Sequence, residues 1–176
     1  MSQRASGYAR VEGDRYETPD WVTLALLPHL RHLKKRDVVY EPAAGGGKIA
    51  TVLRTAGFQV VAFDIADGHD FLGMFQSTAR AVITNPPYHQ AQAFIEHALV
   101  LMQPACGLVA MLLRTDYDHA GSRQHLFRTC PAFSCKVVLT RRIRWIENTK
   151  GSPSFNHAWF IWDHLHQGAP TIAYGP

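Results

Sequence analysis

Four short apolar runs divide the first two thirds of the chain: residues 37–40 (DVVY), 59–63 (QVVAF), 79–84 (ARAVIT) and 108–113 (LVAMLL). They are mostly continuous rather than alternating, as in strands buried on both faces. Between them the apolar spacing becomes helical. Leu24, Leu27, Leu30 and Leu33 recur along residues 21–33, and Phe94, His97, Ala98 and Leu101 share one face of residues 90–102. Thr18 and Pro19 suit the N-cap and first position of the first helix. Residues 48–56 read as a second helix, closed by Gly57, and Pro104 and Gly107 end the third. Strands alternating with helices predict a doubly wound, mostly parallel α/β sheet.

The last third reads differently. Residues 122–129 suggest a short helix, then residues 136–146 and 158–162 suggest two strands joined only by a loop at 148–156. The sheet is therefore expected to end in an antiparallel hairpin.

Composition narrows the class without naming a function. At 176 residues, 47% hydrophobic and 18% charged, the chain suits one globular domain, placed at 16–176 behind a polar, flexible arm at 1–15. No apolar run nears the roughly 18 residues of a membrane span, and no export signal stands at the start, so a cytoplasmic location is expected. Cys106, Cys130 and Cys135 lack metal-ligand spacing and read as reduced thiols. His164 and His166 form an HxH pair without a third ligand, so no metal is expected. The net charge of +4 and isoelectric point near 9.1 lean towards an anionic partner. Basic runs lie at 31–36 and 141–144.

The candidate chemistry lies where strands end. In open α/β sheets, ligands bind beyond the carboxyl ends of the strands. Glu41-Pro42-Ala43-Ala44-Gly45-Gly46-Gly47 follows the first strand, and its glycines allow close backbone approach. Asp64 ends the second strand, nineteen residues beyond Gly45, where a carboxylate can accept from both hydroxyls of a ribose. The loop lacks the third glycine of a dinucleotide fingerprint, since Ala50 stands there, and Ile49 after Gly47-Lys48 excludes a P-loop. Glu41 would repel a phosphate. These features point to a nucleoside cofactor without pyrophosphate and make a nicotinamide dehydrogenase the weaker reading. The third strand ends in Thr84-Asn85-Pro86-Pro87-Tyr88, where two prolines force a stiff extended turn between an amide and an aromatic ring.

Glu41 to Gly47, Asp64 and Asn85-Pro86-Pro87-Tyr88 stand in the order found in S-adenosylmethionine-dependent amino-methyltransferases, which the chain resembles. Tyr16-Glu17-Thr18-Pro19 is similar to the N-terminal cofactor motif of the DNA adenine-N6 branch. The resemblance implies a Rossmann-like class I methyltransferase sheet. It also implies that Glu41, Pro42, Ala43, Gly45 and Gly47 surround the methionine and ribose portion of S-adenosylmethionine. Asp64 would hold the ribose hydroxyls, Ile65 would pack on the adenine, and Asp70-Phe71 would read the adenine edge. Tyr16 and Thr18 would close over the methionine end.

The implied reaction accounts for the stiff turn. An exocyclic base amine is a poor nucleophile because its lone pair is delocalised into the ring. The Asn85 side-chain oxygen and the Pro86 carbonyl, each accepting one amine hydrogen, would favour a pyramidal nitrogen aimed at the methyl group. Pro87 stiffens the turn, and Tyr88 would stack on a base flipped from its duplex, offsetting part of the few kcal/mol of extrusion. Phe155 is the preferred second wall, with Arg142 and Arg144 as nucleic-acid contacts. Only 88 residues follow Tyr88, too few for a separate target-recognition domain beside the rest of the sheet, so short-site or relaxed specificity is expected. DNA is the expected partner. The same motif also serves enzymes acting on RNA adenines or protein glutamine amides. A third reading is a non-catalytic cofactor-binding subunit paired with a recognition subunit or with a second copy.

Overall fold

The computed structural model describes residues 17–145 and 155–176, so the 1–15 arm, Tyr16 and residues 146–154 lie outside the description. Among the described residues, seven strands form one sheet: β1 (Val38–Glu41), β2 (Gln59–Ala62), β3 (Ala81–Thr84), β4 (Leu108–Arg114), β5 (Phe133–Leu139), β6 (His157–Asp163) and β7 (Thr171–Gly175). Their order across the sheet is β2-β1-β3-β4-β6-β5-β7. β6 alone runs antiparallel to its neighbours β4 and β5, and the other pairs are parallel. The fold is therefore mixed α/β, mostly parallel, with the expected antiparallel pair in its C-terminal half.

Helices cover both faces. On one side, α1 (Asp20–Leu26) and α2 (Lys48–Thr55) pack against Val39, Ile83, Leu112 and Trp159. On the other, α3 (Ala91–Met102) packs against Val82, Met111, Phe160 and Trp162. Residues alternating along β4 and β6 enter opposite cores, which explains why nearly all of β4, and β6 between His157 and Asp163, are buried apolar runs. The two indole nitrogens inside these cores are satisfied: Trp159 Nε1 donates to the Val22 carbonyl at 2.8 Å and Trp162 Nε1 to the Leu126 carbonyl at 2.6 Å.

Several boundaries depart from the sequence reading. α1 ends at Leu26 and continues only as a 3-10 turn over Leu27–His29, because Pro28 has no amide hydrogen to extend the ladder. β5 begins at Phe133 and ends at Leu139, so the basic run at 141–144 follows the strand. The expected helix at 122–129 is a 3-10 helix over Gly121–Leu126. β7 was not expected. It adds an edge to β5, with Ile172 and Tyr174 both exposed. No helix among the described residues is long and apolar enough to cross a membrane.

Candidate functional site

The chain passes from β1 to β2 on one side, then returns to β3 on the other side of β1. That reversal opens a crevice at the carboxyl ends of the three strands. A cleft of about 610 Å³ lies there, lined by Glu41 at the end of β1, the loop after it, Asp64 after β2 and Asn85 after β3. Its volume lies in the range of small-molecule sites.

The glycine loop is held open by conformation and by Asp64. Gly45 and Gly47 have φ of 50° and 77°, in the left-handed region that favours glycine. A Cβ at either position would meet no atom within 4 Å, so conformation rather than crowding selects glycine. The Asp64 carboxylate accepts from the Gly45 amide at 3.0 Å through Oδ2 and from the Ala66 amide at 3.0 Å through Oδ1. It thereby ties the loop after β1 to the turn after β2. Each carboxylate oxygen keeps a further lone pair. Ile65 follows, 67% exposed at the cleft rim. Pro42 and Ala43 also line the cleft, whereas Gly47 does not and instead caps the start of α2.

Glu41 is almost wholly buried. Burial, with a smaller contribution from the Asp64 charge, pushes its carboxyl up to about 8 against a lowering by the Ala50 amide and Arg54. Ala50 is the third residue of α2, so Glu41 reaches from the preceding strand to that helix start. Its Oε2 has no hydrogen-bond partner. Burial therefore favours the protonated form of this carboxyl.

The proline turn differs at its two ends. Thr84 and Pro86 are buried, fixing the turn to the sheet. The Asn85 Nδ2 donates to Thr18 Oγ1 at 3.4 Å. With the amide assigned in that orientation, its Oδ1 is buried and has no partner. Thr18 does not cap α1: Pro19 occupies the N-cap without a side-chain bond, and Thr18 lines the cleft beside Asn85. Pro87 lines the cleft as well, but Tyr88 does not. Its hydroxyl lies 3.2 Å from Nε2 of His157, the first residue of β6. Trp145 meets the same imidazole edge-on at 5.1 Å between centroids. Burial is the largest cause holding His157 down to about 4, with the Arg114 charge adding to it against the Phe155 backbone and Asp116.

The remaining predicted residues fall into two groups. Asp70 lines the cleft, and its Oδ1 accepts from the Leu72 amide at 3.0 Å, capping a 3-10 turn. Phe71 touches the cleft but is 1% exposed, packed against Phe94 and His97. Phe155 lies apart from the cleft lining, with the Arg114 guanidinium 4.2 Å from its ring centroid. Arg142 donates to Asn156 Oδ1 at 2.9 Å, and Arg144 is exposed. Tyr16 lies outside the described residues. His157 and Lys48 were not singled out from sequence as site residues, and Glu17 was named only within the Tyr16–Pro19 motif. His157 is recognisable only once strand pairing sets it opposite Arg114.

No family model matches the chain, and no curated protein matches it. Solved structures do. A candidate class I S-adenosylmethionine-dependent methyltransferase from Listeria monocytogenes superposes with a TM-score of 0.64 at 13% identity, over 96% of this chain and 68% of that one. The type I restriction enzyme EcoKI M protein gives 0.60 at 13% identity, over 90% of this chain and 48% of that one. A candidate RNA methyltransferase from Pyrococcus horikoshii gives 0.53 at 15% identity, over 84% and 89% respectively. The chain has the fold of class I S-adenosylmethionine-dependent methyltransferases.

Proposed function

We propose that this chain is an S-adenosylmethionine-dependent methyltransferase acting on the exocyclic N6 amine of adenine in DNA. The observation that carries this reading is the buried, unpartnered Oδ1 of Asn85 on a proline-stiffened turn at the cleft wall. A buried acceptor left without a donor is costly, so one left at a cleft wall is suited to a ligand's hydrogen.

The residues present fit the adenosyl cofactor. Asp64 has spare acceptor capacity for ribose hydroxyls, Ile65 offers an exposed apolar face for adenine, and the glycine loop leaves room beside its α-carbons. Asp70 would accept from the adenine amine, with Phe71 beneath as packing. Thr18, Glu41, Pro42 and Ala43 would border the methionine end. When bound, the cofactor supplies an electrophilic methyl group on a sulfonium.

The protein's part in the reaction is positional. Asn85 Oδ1 and the Pro86 carbonyl would each accept one hydrogen of the target amine, turning its lone pair outward and favouring the positive charge that grows on nitrogen. Tyr88, outside the cofactor cleft and steadied by His157, would stack on the extruded base. Phe155, Arg142 and Arg144 would contact the nucleic acid around it. The order of motifs in the chain and the superposition on the EcoKI M protein support DNA as acceptor. The superposition on a candidate RNA methyltransferase keeps RNA adenine as the second reading.

Incubation with methyl-labelled S-adenosylmethionine and separate DNA, RNA and protein fractions tests the assignment. Label is expected in DNA adenine. Label confined to RNA or to protein glutamine would move the acceptor. Cofactor binding without transfer to any fraction would favour a non-catalytic subunit.

A further inference from the structure

An amino-acid arm entering the cleft must find a partner for its carboxylate. Four acidic side chains line the cleft, Glu17, Glu41, Asp64 and Asp70, against one lysine, Lys48, and no arginine among the described residues. Lys48 is the first residue of α2, directly after the glycine loop, where the helix start also favours an anion. Its Nζ lies 2.9 Å from Oε2 of Glu17. The other Glu17 oxygen lies against Gly46, where an added Cβ would overlap it. A carboxylate of the chain itself therefore already rests on Lys48 and over the glycine loop. Both side chains are roughly half exposed, so the pair is weakly held and open to exchange.

We propose that Lys48 is the docking cation for the α-carboxylate of the cofactor's amino-acid arm, and that Glu17 holds its place until the cofactor displaces it. The proposal rests on the methyltransferase reading above. The positions of neighbouring groups agree with it. Thr18, next to Glu17, contacts Asn85 after β3, whereas Asp64 and Ile65 follow β2, on the far side of β1. The arm is thus seated between Glu17 and Asn85, and the nucleoside lies towards β2. One carboxylate replaces another on Lys48, and the released Glu17 side chain, already 52% exposed, is solvated by water.

Two ligands separate this inference from the reading beneath it. S-adenosylhomocysteine carries the amino-acid arm, and 5′-methylthioadenosine carries the same thioether nucleoside without it. By calorimetry, Lys48→Met is expected to weaken S-adenosylhomocysteine about tenfold while leaving methylthioadenosine within about twofold. Lys48→Arg restores most of the loss. Glu17→Gln, which does not depend on Lys48→Met folding, tightens S-adenosylhomocysteine about threefold without changing methylthioadenosine. If Lys48→Met treats both ligands alike, or Glu17→Gln leaves S-adenosylhomocysteine unchanged or weaker, the docking role is refuted while the methyltransferase reading stands. If neither ligand binds the wild type, that reading fails and the docking role with it.

Discussion

The Tyr88 hydroxyl lies 3.2 Å from Nε2 of His157, joining the proline turn after β3 to the first residue of β6. The contact orients a partly exposed ring from a buried imidazole. Tyr88→Phe keeps the ring and loses the tether. Methyl transfer is expected to fall about three- to tenfold, the worth of one such hydrogen bond. Tyr88→Ala removes the stacking face too and should cost more. A double-mutant cycle with His157→Leu checks the coupling, since the two single losses should not add.

His157 also makes stability depend on pH. Its folded value is held down to about 4, from an ordinary 6.5, chiefly by burial. The unfolded chain takes a proton on this ring near 6.5 and the folded chain only near 4, so stability is lost as pH falls through that window. Urea unfolding at a series of pH values should show this slope in the wild type. His157→Gln should flatten it.

Glu41 acts in the opposite sense. Its carboxyl keeps a proton up to about 8 in the folded chain but releases it near 4.5 when unfolded. Its contribution is full below pH 4.5 and declines as pH rises through 8. Glu41→Gln removes this dependence, so its stability relative to wild type should improve steadily between those values. The same urea series measures it.

Asp64→Ala should separate loop order from cofactor contact. Two backbone amides, of Gly45 and Ala66, lose their acceptor. Unfolding free energy is expected to fall by about 1 kcal/mol because both amides can reach water. Nucleoside affinity should fall further, by more than about tenfold, as measured by titration with S-adenosylhomocysteine.

How much was legible in the chain depends on what each residue's neighbours are. The runs of β3 and β4 read correctly because both faces are buried, so the signal lies within the strand itself. Asn85-Pro86-Pro87 stood out because the prolines dictate backbone shape locally. β7 did not, since Ile172 and Tyr174 face outward and offer no core-directed pattern. Thr18 looked like a helix cap by sequence, but its hydroxyl serves Asn85, 67 residues away. The Lys48–Glu17 pair depends on the chain before α1 crossing the glycine loop, and His157 on the pairing of β4 with β6. Neither relation is written in local spacing.

The most direct measurement is the N6-methyladenine content of DNA incubated with S-adenosylmethionine and either wild type or Asn85→Ala, digested to nucleosides and resolved by mass spectrometry. Wild type should generate N6-methyladenine, and Asn85→Ala should reduce its rate by about a hundredfold or more, with S-adenosylhomocysteine affinity little changed. No N6-methyladenine from the wild type, or equal amounts from both proteins, would contradict the assignment of Asn85 as the acceptor that prepares the adenine amine.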